Sequence, residues 1–218
     1  MPLLNLDLRH NIPTSILPGF DVGFWSFGET AQDLSLLLAD GENYLKKIQS
    51  AYVSPKRQRE KLAVKVLLEK HFSCFEEVAY LSNGCPQLVN DDRFVSISHS
   101  SSLLAVAISH QRIGIDLEER TERAYHLRQK FLLPSEEWML AACEDPVLEA
   151  LKIWTAKEAA FKMKSVDGLL LHTNLELQAV DNHSPISLYK VVFPDSSHSM
   201  VRTFVFSDFV FSVCIDYA

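Results

Sequence analysis

The chain has 218 residues, of which 47% are hydrophobic, and a formal net charge of −7 at pH 7. This apolar content excludes a disordered chain and is enough to form one large core or two small ones. The acidic balance argues against a general nucleic-acid or membrane-surface binder, so an anionic ligand would need a local cluster of positive charge.

The cysteines and the hydropathy pattern suggest a compartment. Cys74, Cys85, Cys143 and Cys214 lie far apart and form no CxxC pair. They predict buried free thiols of a reducing compartment rather than a zinc site or a disulfide framework. We find no basic start followed by an apolar run, and no stretch of about 18 apolar residues. A soluble cytoplasmic protein with no membrane span is therefore expected.

The first third of the chain predicts one strand and three helices. The strand is expected at Val22–Phe27. The third helix has the clearest start, because Ser54 is a natural N-cap and Pro55 suits the first helical position. Its first turns, Lys56–Lys61, carry a dense positive charge, which on its own is typical of a solvated face. The three helices are expected at about Thr30–Leu38, Glu42–Tyr52 and Ser54–Phe72.

Strands and helices form separate runs in the rest of the chain. Asn83-Gly84 predicts a turn, and Asp145-Pro146 predicts the start of a long helix. Separate runs of this kind favour an α+β fold over a doubly wound sheet. The expected strands are Phe94–Ser98, Leu103–Ser109 and Ile113–Glu118, then Leu175–Val180, Leu188–Phe193, Arg202–Phe206 and Phe209–Asp216, and the expected helices between these groups are about Arg120–Leu132, Ser135–Cys143 and Pro146–Lys164.

Two carboxylates share one face of the strand expected at residues 113–118. Side chains alternate along a strand, so Asp116 and Glu118 are neighbours, with Cα atoms roughly 6.5–7 Å apart. Like charges at this distance repel each other unless a cation lies between them. Gly114 is expected to leave open space on the same face. The alternative is an ordinary solvated strand face.

A third carboxylate projects from the apolar stripe of the helix expected at residues 146–164. Glu158 lies in the middle of this stripe, and Lys162 follows one turn later. The alternative is an exposed i,i+4 ion pair. Together with Asp116 and Glu118, Glu158 would form an all-oxygen site, which suits magnesium better than zinc. The stripe consists of Leu151, Trp154, Thr155 and Phe161.

Other phosphate or nucleophile motifs are weaker. The chain contains no GxxxxGK[ST] loop and no GxGxxG turn. His99 could be the base of a serine hydrolase, but no GxSxG motif accompanies it. A structural histidine is the alternative.

Taken together, these residues resemble the phosphopantetheinyl transferase superfamily, specifically its larger, monomeric, surfactin-type branch. The family motif G-[IV]-D-[ILV]-E matches Gly114–Glu118, and W-[ST]-x-K-E-[AS]-x-x-K matches Trp154–Lys162. A short S-H-S motif appears as Ser98–Ser100, and Lys56–Lys61 resembles the family's KR-containing helix. The resemblance covers residues 54–164. The chain departs from the family at Cys85, where a lysine that contacts coenzyme A is common.

The resemblance implies an α+β fold of two similar halves related by a pseudo-two-fold axis, with the active site in the cleft between them. Residues 1–109 would form the half on the coenzyme A 3′-phosphate side. Residues 110–218 would carry the metal site and the carrier-protein docking surface. The implied protein is a monomer.

The implied activity is that of a holo-[acyl-carrier-protein] synthase. It transfers the 4′-phosphopantetheine group from coenzyme A to a serine of an acyl or peptidyl carrier protein and releases 3′,5′-ADP. The carriers of the family act in fatty acid, polyketide or nonribosomal peptide biosynthesis. Two alternatives stay open: a magnesium-dependent nucleotide pyrophosphate hydrolase and a non-catalytic carrier-protein-binding module.

The resemblance also implies roles for single residues. Magnesium, with manganese as a substitute, would be held by Asp116, Glu118 and Glu158. Either Glu158 or a water on the metal would take the serine proton, and Lys157 would share in catalysis with Asp116. The coenzyme A contacts would come from Lys56, Arg57, Ser98, His99, Lys157 and Lys162.

The carrier protein is expected to dock on a basic helix that follows the metal strand. Carrier proteins of this kind are acidic, and an acidic enzyme must offer them a local basic face. The helix expected at about Arg120–Leu132 would supply Arg120, Arg123 and Arg128. The alternative is an amphipathic helix whose charges face water.

Overall fold

The structure is a computed structural model that describes residues 20–165, 175–183 and 185–216. These residues form ten strands, six helices and two short 3₁₀ turns. The first half contains β1 (Phe20–Ser26), α1 (Ala31–Ser35), α2 (Gly41–Ala51), α3 (Pro55–Lys70), β2 (Val78–Tyr80), β3 (Pro86–Leu88), β4 (Phe94–His99) and β5 (Leu103–Ser109). The second contains β6 (Ile113–Glu119), α4 (Arg123–His126), α5 (Glu137–Ala141), α6 (Pro146–Lys164), β7 (Glu176–His183), β8 (Ile186–Val192), β9 (His198–Val205) and β10 (Phe209–Ile215).

The two halves repeat one topology. The strand orders are β1-β5-β4-β3-β2 and β6-β10-β9-β8-β7, and all neighbouring strands are antiparallel. In both sheets the first strand of the half lies at the edge and pairs with the last one. In both halves the helices are inserted after that first strand. The expected α+β fold of two similar halves is therefore confirmed.

The core has three apolar layers. One packs α1, α2 and α3 against the first sheet, and another packs α5 and α6 against the second. The layer between them joins the two sheets, with Phe24 and Leu103 of the first sheet clustered with Ile115, Leu117 and Phe211 of the second. Burial of apolar surface between the sheets is the main force that holds the halves together.

Serine hydroxyls join the two sheets at β4 and β6. The hydroxyl of Ser96 accepts a hydrogen bond from the Ile115 amide at 3.0 Å, and that of Ser98 accepts one from the Leu117 amide at 3.1 Å. These amides lie on the outer side of an edge strand, where no neighbouring strand accepts their hydrogen bonds. The serines therefore fix the position of β6 against β4.

The bounds of several predicted helices and strands are confirmed within one or two residues. Two predicted helix N-caps are also confirmed. The Ser54 hydroxyl accepts from the Arg57 amide at 3.5 Å at the start of α3. The Asp145 carboxylate accepts from the Leu148 amide at 2.9 Å at the start of α6, whose bounds are those expected. Short strands β2 and β3 were not expected.

The helix expected at about Arg120–Leu132 is wrong. Only Arg123–His126 is α-helical, and a 3₁₀ turn follows at Arg128–Lys130. The Arg128 guanidinium turns back to donate to the Tyr125 carbonyl at 2.9 Å and lies 4.4 Å from the Tyr125 ring. Phe131 is then drawn into the core against Trp154, with ring centroids 5.0 Å apart. The burial of Phe131 therefore prevents the α-helix from continuing to Leu132.

The helix expected at Ser135–Cys143 is shorter than predicted. It is replaced by a 3₁₀ turn at Pro134–Glu136 and by α5. All four cysteines are free, and Cys74 and Cys214 are buried, whereas Cys85 and Cys143 are partly exposed. Within the described residues, no helix combines the length and the apolar content that crossing a membrane requires.

Candidate active site

A close contact between β6 and α6 positions the carboxylates. A Cβ on Gly114 would collide with the Ala159 carbonyl and the Met163 amide of α6. The open space expected at Gly114 is therefore absent, because the helix backbone fills it. The glycine lets α6 lie directly on the strand, and this contact carries Glu158 to the face of Asp116 and Glu118.

Asp116 is buried and firmly held. Its Oδ1 accepts from the Ser98 hydroxyl at 2.8 Å and from Lys162 Nζ at 2.7 Å. Its Oδ2 is buried and has no hydrogen-bond partner among the described residues. A solvated face, the alternative for this strand, is therefore wrong at Asp116, which is only 5% exposed.

The other two carboxylates are half-buried and repel Asp116. Glu118 accepts from the Trp154 indole at 3.2 Å, and burial followed by the charge of Asp116 raises its pKa. Burial also raises the pKa of Glu158 to about 7, with further contributions from the charges of Asp116 and Glu118, while Lys162 acts in the opposite direction. The three acids therefore form one electrostatic cluster.

This cluster fits a hard cation but does not form a finished metal site. Across the described ranges, no group of three or more His, Cys, Asp or Glu side chains is arranged to hold a metal ion. The Lys162 ammonium supplies positive charge at Asp116 instead. The unpartnered buried Oδ2 of Asp116 and the repulsion among three oxygen-bearing acids are the features that a magnesium ion would satisfy. The metal ligands predicted from sequence stay a prediction.

A cleft of about 500 Å³ adjoins the carboxylates and is lined by residues of both halves. Lys162 reaches it from α6, and His99 lies at the end of β4. On the other wall are Arg57 and Lys61 of α3. Lys162 thus connects the cleft to the acidic cluster, because it lies in the cleft wall and bonds Asp116.

The family comparison agrees with this geometry. A family model described as the 4′-phosphopantetheinyl transferase superfamily matches residues 112–214, which include β6, α6 and all three carboxylates. The matched region belongs to that superfamily. This match supports the predicted superfamily for the second half of the chain, and the surfactin-type branch stays a prediction. No curated protein matches the chain.

Lys157, which the sequence predicts to contact phosphate, is not among the residues that line the cleft. Lys157 is 0% exposed, and its ammonium donates to the Phe131 carbonyl at 2.8 Å and to Glu136 at 2.6 Å. The Glu136 carboxylate also accepts from the Leu177 amide at 2.6 Å. Lys157 therefore faces the core of the second half and ties α6 to neighbouring segments.

Ser98 also differs from its predicted role. The sequence placed it among the coenzyme A contacts. In the structure its hydroxyl donates to Asp116 and accepts from the Leu117 amide, and Lys162 Nζ lies 3.1 Å away. These bonds use the lone pairs of the hydroxyl, so Ser98 orients Asp116 and Lys162 rather than a ligand.

The predicted phosphate contacts of the first half cluster around one carboxylate. Arg57 lies 3.3 Å, and His99 3.8 Å, from Oε2 of Glu60, while Lys56 lies 3.8 Å from Oε1. Arg57 and His99 line the cleft, whereas Lys56 is not part of its lining. Burial lowers the pKa of His99, and the charge of Glu60 partly opposes this effect.

Sequence reasoning missed Glu60 and Glu119. The spacing along the helix could have identified Glu60, because it follows Lys56 at i+4 and Arg57 at i+3, where ion pairs form. Glu119 accepts hydrogen bonds from three hydroxyls and an amide of residues 100–102 at 2.6–2.9 Å and thereby holds the loop after His99. These bonds lower the pKa of Glu119 to about 2. The sequence signal for this contact was weak, because a run of serines and a third acid in β6 form no recognised motif.

The family's usual lysine position also lies at the cleft. Gly84, Cys85 and Pro86 are part of its wall, and Gly84 has a φ of +82°. That backbone conformation favours glycine and sets the turn between β2 and β3. Cys85 therefore occupies the place from which a lysine could reach the ligand, and its thiol supplies no positive charge.

Proposed function

We propose that this chain transfers the 4′-phosphopantetheine group from coenzyme A to a serine of a carrier protein and releases 3′,5′-ADP. The observation that carries the proposal is a cleft with a cationic wall on α3 that reaches the carboxylate cluster of β6 and α6 through Lys162. Such a cleft has room for a long ligand with separate phosphate groups. The free thiols agree with action in the cytoplasm, and we propose that it acts there as a monomer.

The residues of the second half would act on the pyrophosphate. Magnesium or manganese, held by Asp116, Glu118 and Glu158, would neutralise charge on the phosphate oxygens. Lys162 already bonds Asp116 and lines the cleft, so its ammonium can turn to a phosphate oxygen when the ligand enters. Positive charge at this point stabilises the transition state of phosphoryl transfer.

Glu158 is our candidate for the general base. Asp116 accepts a hydrogen bond from Lys162, and Glu118 accepts one from Trp154. Glu158 lies close to charged groups, but none of the described residues donates a hydrogen bond to it. With one of its oxygens on the metal, the other oxygen could accept the proton of the attacking serine hydroxyl. The new bond forms between the serine oxygen and the β-phosphorus, and the bond to the oxygen bridging the two phosphates breaks.

The carrier protein would dock beside Glu118. A small apolar depression there is lined by Leu127 and Trp154, and exposed Arg123 stands at its rim. An acidic carrier would be attracted by Arg123 and would place its serine near the cluster. Arg120, which lies 3.6 Å from Asp145, and Arg128, which packs on Tyr125, are held by their own chain and contribute less.

The test uses the whole protein with apo carrier proteins of fatty acid, polyketide and peptide synthesis. Each is incubated with coenzyme A and magnesium and then analysed by mass spectrometry. We expect at least one carrier to gain one phosphopantetheine group and to gain nothing when magnesium is chelated. Cleavage of coenzyme A without any loaded carrier would instead show a hydrolase. Carrier binding with neither loading nor cleavage would show a non-catalytic module.

A further inference from the structure

A buried carboxylate faces the cleft from α3. Glu60 is 4% exposed, yet it contributes to the cleft wall together with Arg57, Lys61 and His99. Its Oε2 faces Arg57 at 3.3 Å and His99 at 3.8 Å. An acid is unexpected in a wall that should attract an anionic ligand, because its charge offsets that of the neighbouring cations.

One oxygen of this carboxylate has no donor. Glu60 Oε1 is buried, and none of the residues described by the structure forms a hydrogen bond to it. Lys56 Nζ is 3.8 Å away, which is too long for a hydrogen bond. Leaving a buried charged acceptor unsatisfied is costly, so such atoms usually have a partner in the functional complex. An unsatisfied oxygen on the wall of a ligand cleft indicates a ligand donor.

The chemistry of the carboxylate limits what that donor can be. An ionised carboxylate only accepts hydrogen bonds, so it excludes phosphate oxygens and selects an O–H or N–H group. If Arg57 and His99 hold the 3′-phosphate of coenzyme A, the nearest donor on the ligand is the hydroxyl on the adjacent 2′ carbon of the same ribose. Glu60 touches both of those residues, so it lies where this hydroxyl would be.

We propose that Glu60 is a specificity-determining residue that accepts a hydrogen bond from the ribose 2′-hydroxyl of the nucleotide end of coenzyme A. This inference rests on the proposed function. Glu60 then has two effects on affinity. It strengthens binding of a ligand with a 2′-hydroxyl by accepting a hydrogen bond, and it weakens binding of a ligand with a 2′-phosphate by charge repulsion. The site would thereby distinguish a 3′-phosphorylated nucleotide from its 2′ isomer, which the cations alone could not do.

The test measures binding by calorimetry, so it does not depend on catalysis. The full chain is titrated with adenosine 3′,5′-bisphosphate, its 2′-deoxy analogue, adenosine 2′,5′-bisphosphate and inosine 3′,5′-bisphosphate. The variants are Glu60→Met, which removes the acceptor at similar length, and Glu60→Gln, which keeps one acceptor oxygen. The control is Glu69→Met, which removes another buried carboxylate of α3, one that does not line the cleft and accepts from the Ala39 amide at 3.2 Å.

For the native protein, we expect the 2′-deoxy analogue to bind about tenfold more weakly than the 3′,5′-bisphosphate. Glu60→Met should reduce this ratio to about one and should tighten binding of the 2′,5′ isomer, because a repelling charge is gone. Glu60→Gln should keep part of the ratio, and Glu69→Met should keep all of it. A purely structural role would change the affinity for all ligands together and leave their ratios intact.

Two results would overturn the proposal. The first is equal binding of the hydroxyl and deoxy ligands by the native protein. The second is a Glu60-dependent loss with the inosine ligand instead, which would assign the carboxylate to the adenine amino group. Failure of the native protein to bind any 3′,5′-bisphosphate is a different outcome, since it would contradict the coenzyme A function as well.

Discussion

The carboxylates of the acidic cluster differ in how far neighbouring groups compensate their negative charge. Asp116 accepts from Ser98 and Lys162, so its charge is compensated within the folded chain. Glu158 is half-buried beside two other acids, so its charge is mainly opposed. Removing the two charges should therefore affect stability in opposite directions, although both should abolish the reaction.

The first prediction compares Glu158→Gln with Asp116→Asn in metal-free protein. Glu158→Gln should leave Tm equal or raise it, because it relieves repulsion in a desolvated site. Asp116→Asn should lower the free energy of unfolding by about 1–2 kcal/mol, because Lys162 loses its ion-pair partner. Differential scanning calorimetry in a chelator and a carrier-loading assay would measure both effects. A normal loading rate for either variant would refute the assignment of the cluster.

Two lysines of helix α6 face different surroundings because of their positions around the helix axis. Lys157 points into the core, where it pairs with Glu136 at 2.6 Å, and Lys162 points to the cleft, where it pairs with Asp116 at 2.7 Å. Both belong to one sequence motif, and their spacing alone does not show which faces the ligand. The structure buries Lys157 and places Lys162 in the wall of the cleft.

The second prediction contrasts these two lysines. Lys157→Met leaves Glu136 as an unpaired buried charge, which should cost about 3–5 kcal/mol and lower Tm by about 10 °C. At a temperature where it stays folded, its KM for coenzyme A should be unchanged. Lys162→Met also removes the ion-pair partner of buried Asp116, so its Tm should fall as well, but at a temperature where it stays folded it should lose at least about tenfold in loading rate. Thermal melts and steady-state kinetics on both variants provide the comparison, and a raised KM in Lys157→Met would contradict it.

The third prediction concerns the short helix α4. Arg123→Glu should raise the apparent KM for carrier protein and flatten its salt dependence, because exposed rim charges mainly change the rate of encounter. The KM for coenzyme A should stay the same. Lys46→Glu is the matched control, since Lys46 is also positively charged and exposed but lies on α2, where it pairs with Glu42. Identical carrier kinetics for both variants at low ionic strength would place the docking surface elsewhere.

At the scale of the whole molecule, the two halves depend on a shared core. The inward face of β6, with Ile113, Ile115 and Leu117, is at most 4% exposed because the first sheet and β10 cover it. Ser96 and Ser98 also satisfy amides of β6 from the other half. Each sheet separated from the other would expose a wide apolar face.

The fourth prediction is that the full chain unfolds in one cooperative transition. Calorimetric and van't Hoff enthalpies should agree, because neither half retains its core without the other. Residues 110–218 expressed alone should aggregate or bind a hydrophobic dye strongly. Two resolved transitions, or a soluble and folded C-terminal half, would show that the halves are independent domains and that the boundary near residue 109 separates them.

The sequence by itself determined the local elements and the chemical motif. Cap residues fixed the starts of α3 and α6, and strand alternation placed Asp116 and Glu118 on one face, because these signals act over a few neighbouring residues. The two-half α+β architecture and the superfamily followed from the motifs at Gly114–Glu118 and Trp154–Lys162. Short strands such as β2 (Val78–Tyr80) were missed because three residues carry too little pattern.

Only the tertiary structure decided which of the candidate residues face the cleft. Lys157 turned out to be buried, Ser98 to hold Asp116, and Glu60 to stand among the cations of the first half. The helix expected at Arg120–Leu132 ended early because burial of Phe131 outweighed local helical preference. Each of these outcomes depends on contacts between segments far apart in the chain, and the energy of such contacts is not encoded in the spacing of residues within one segment.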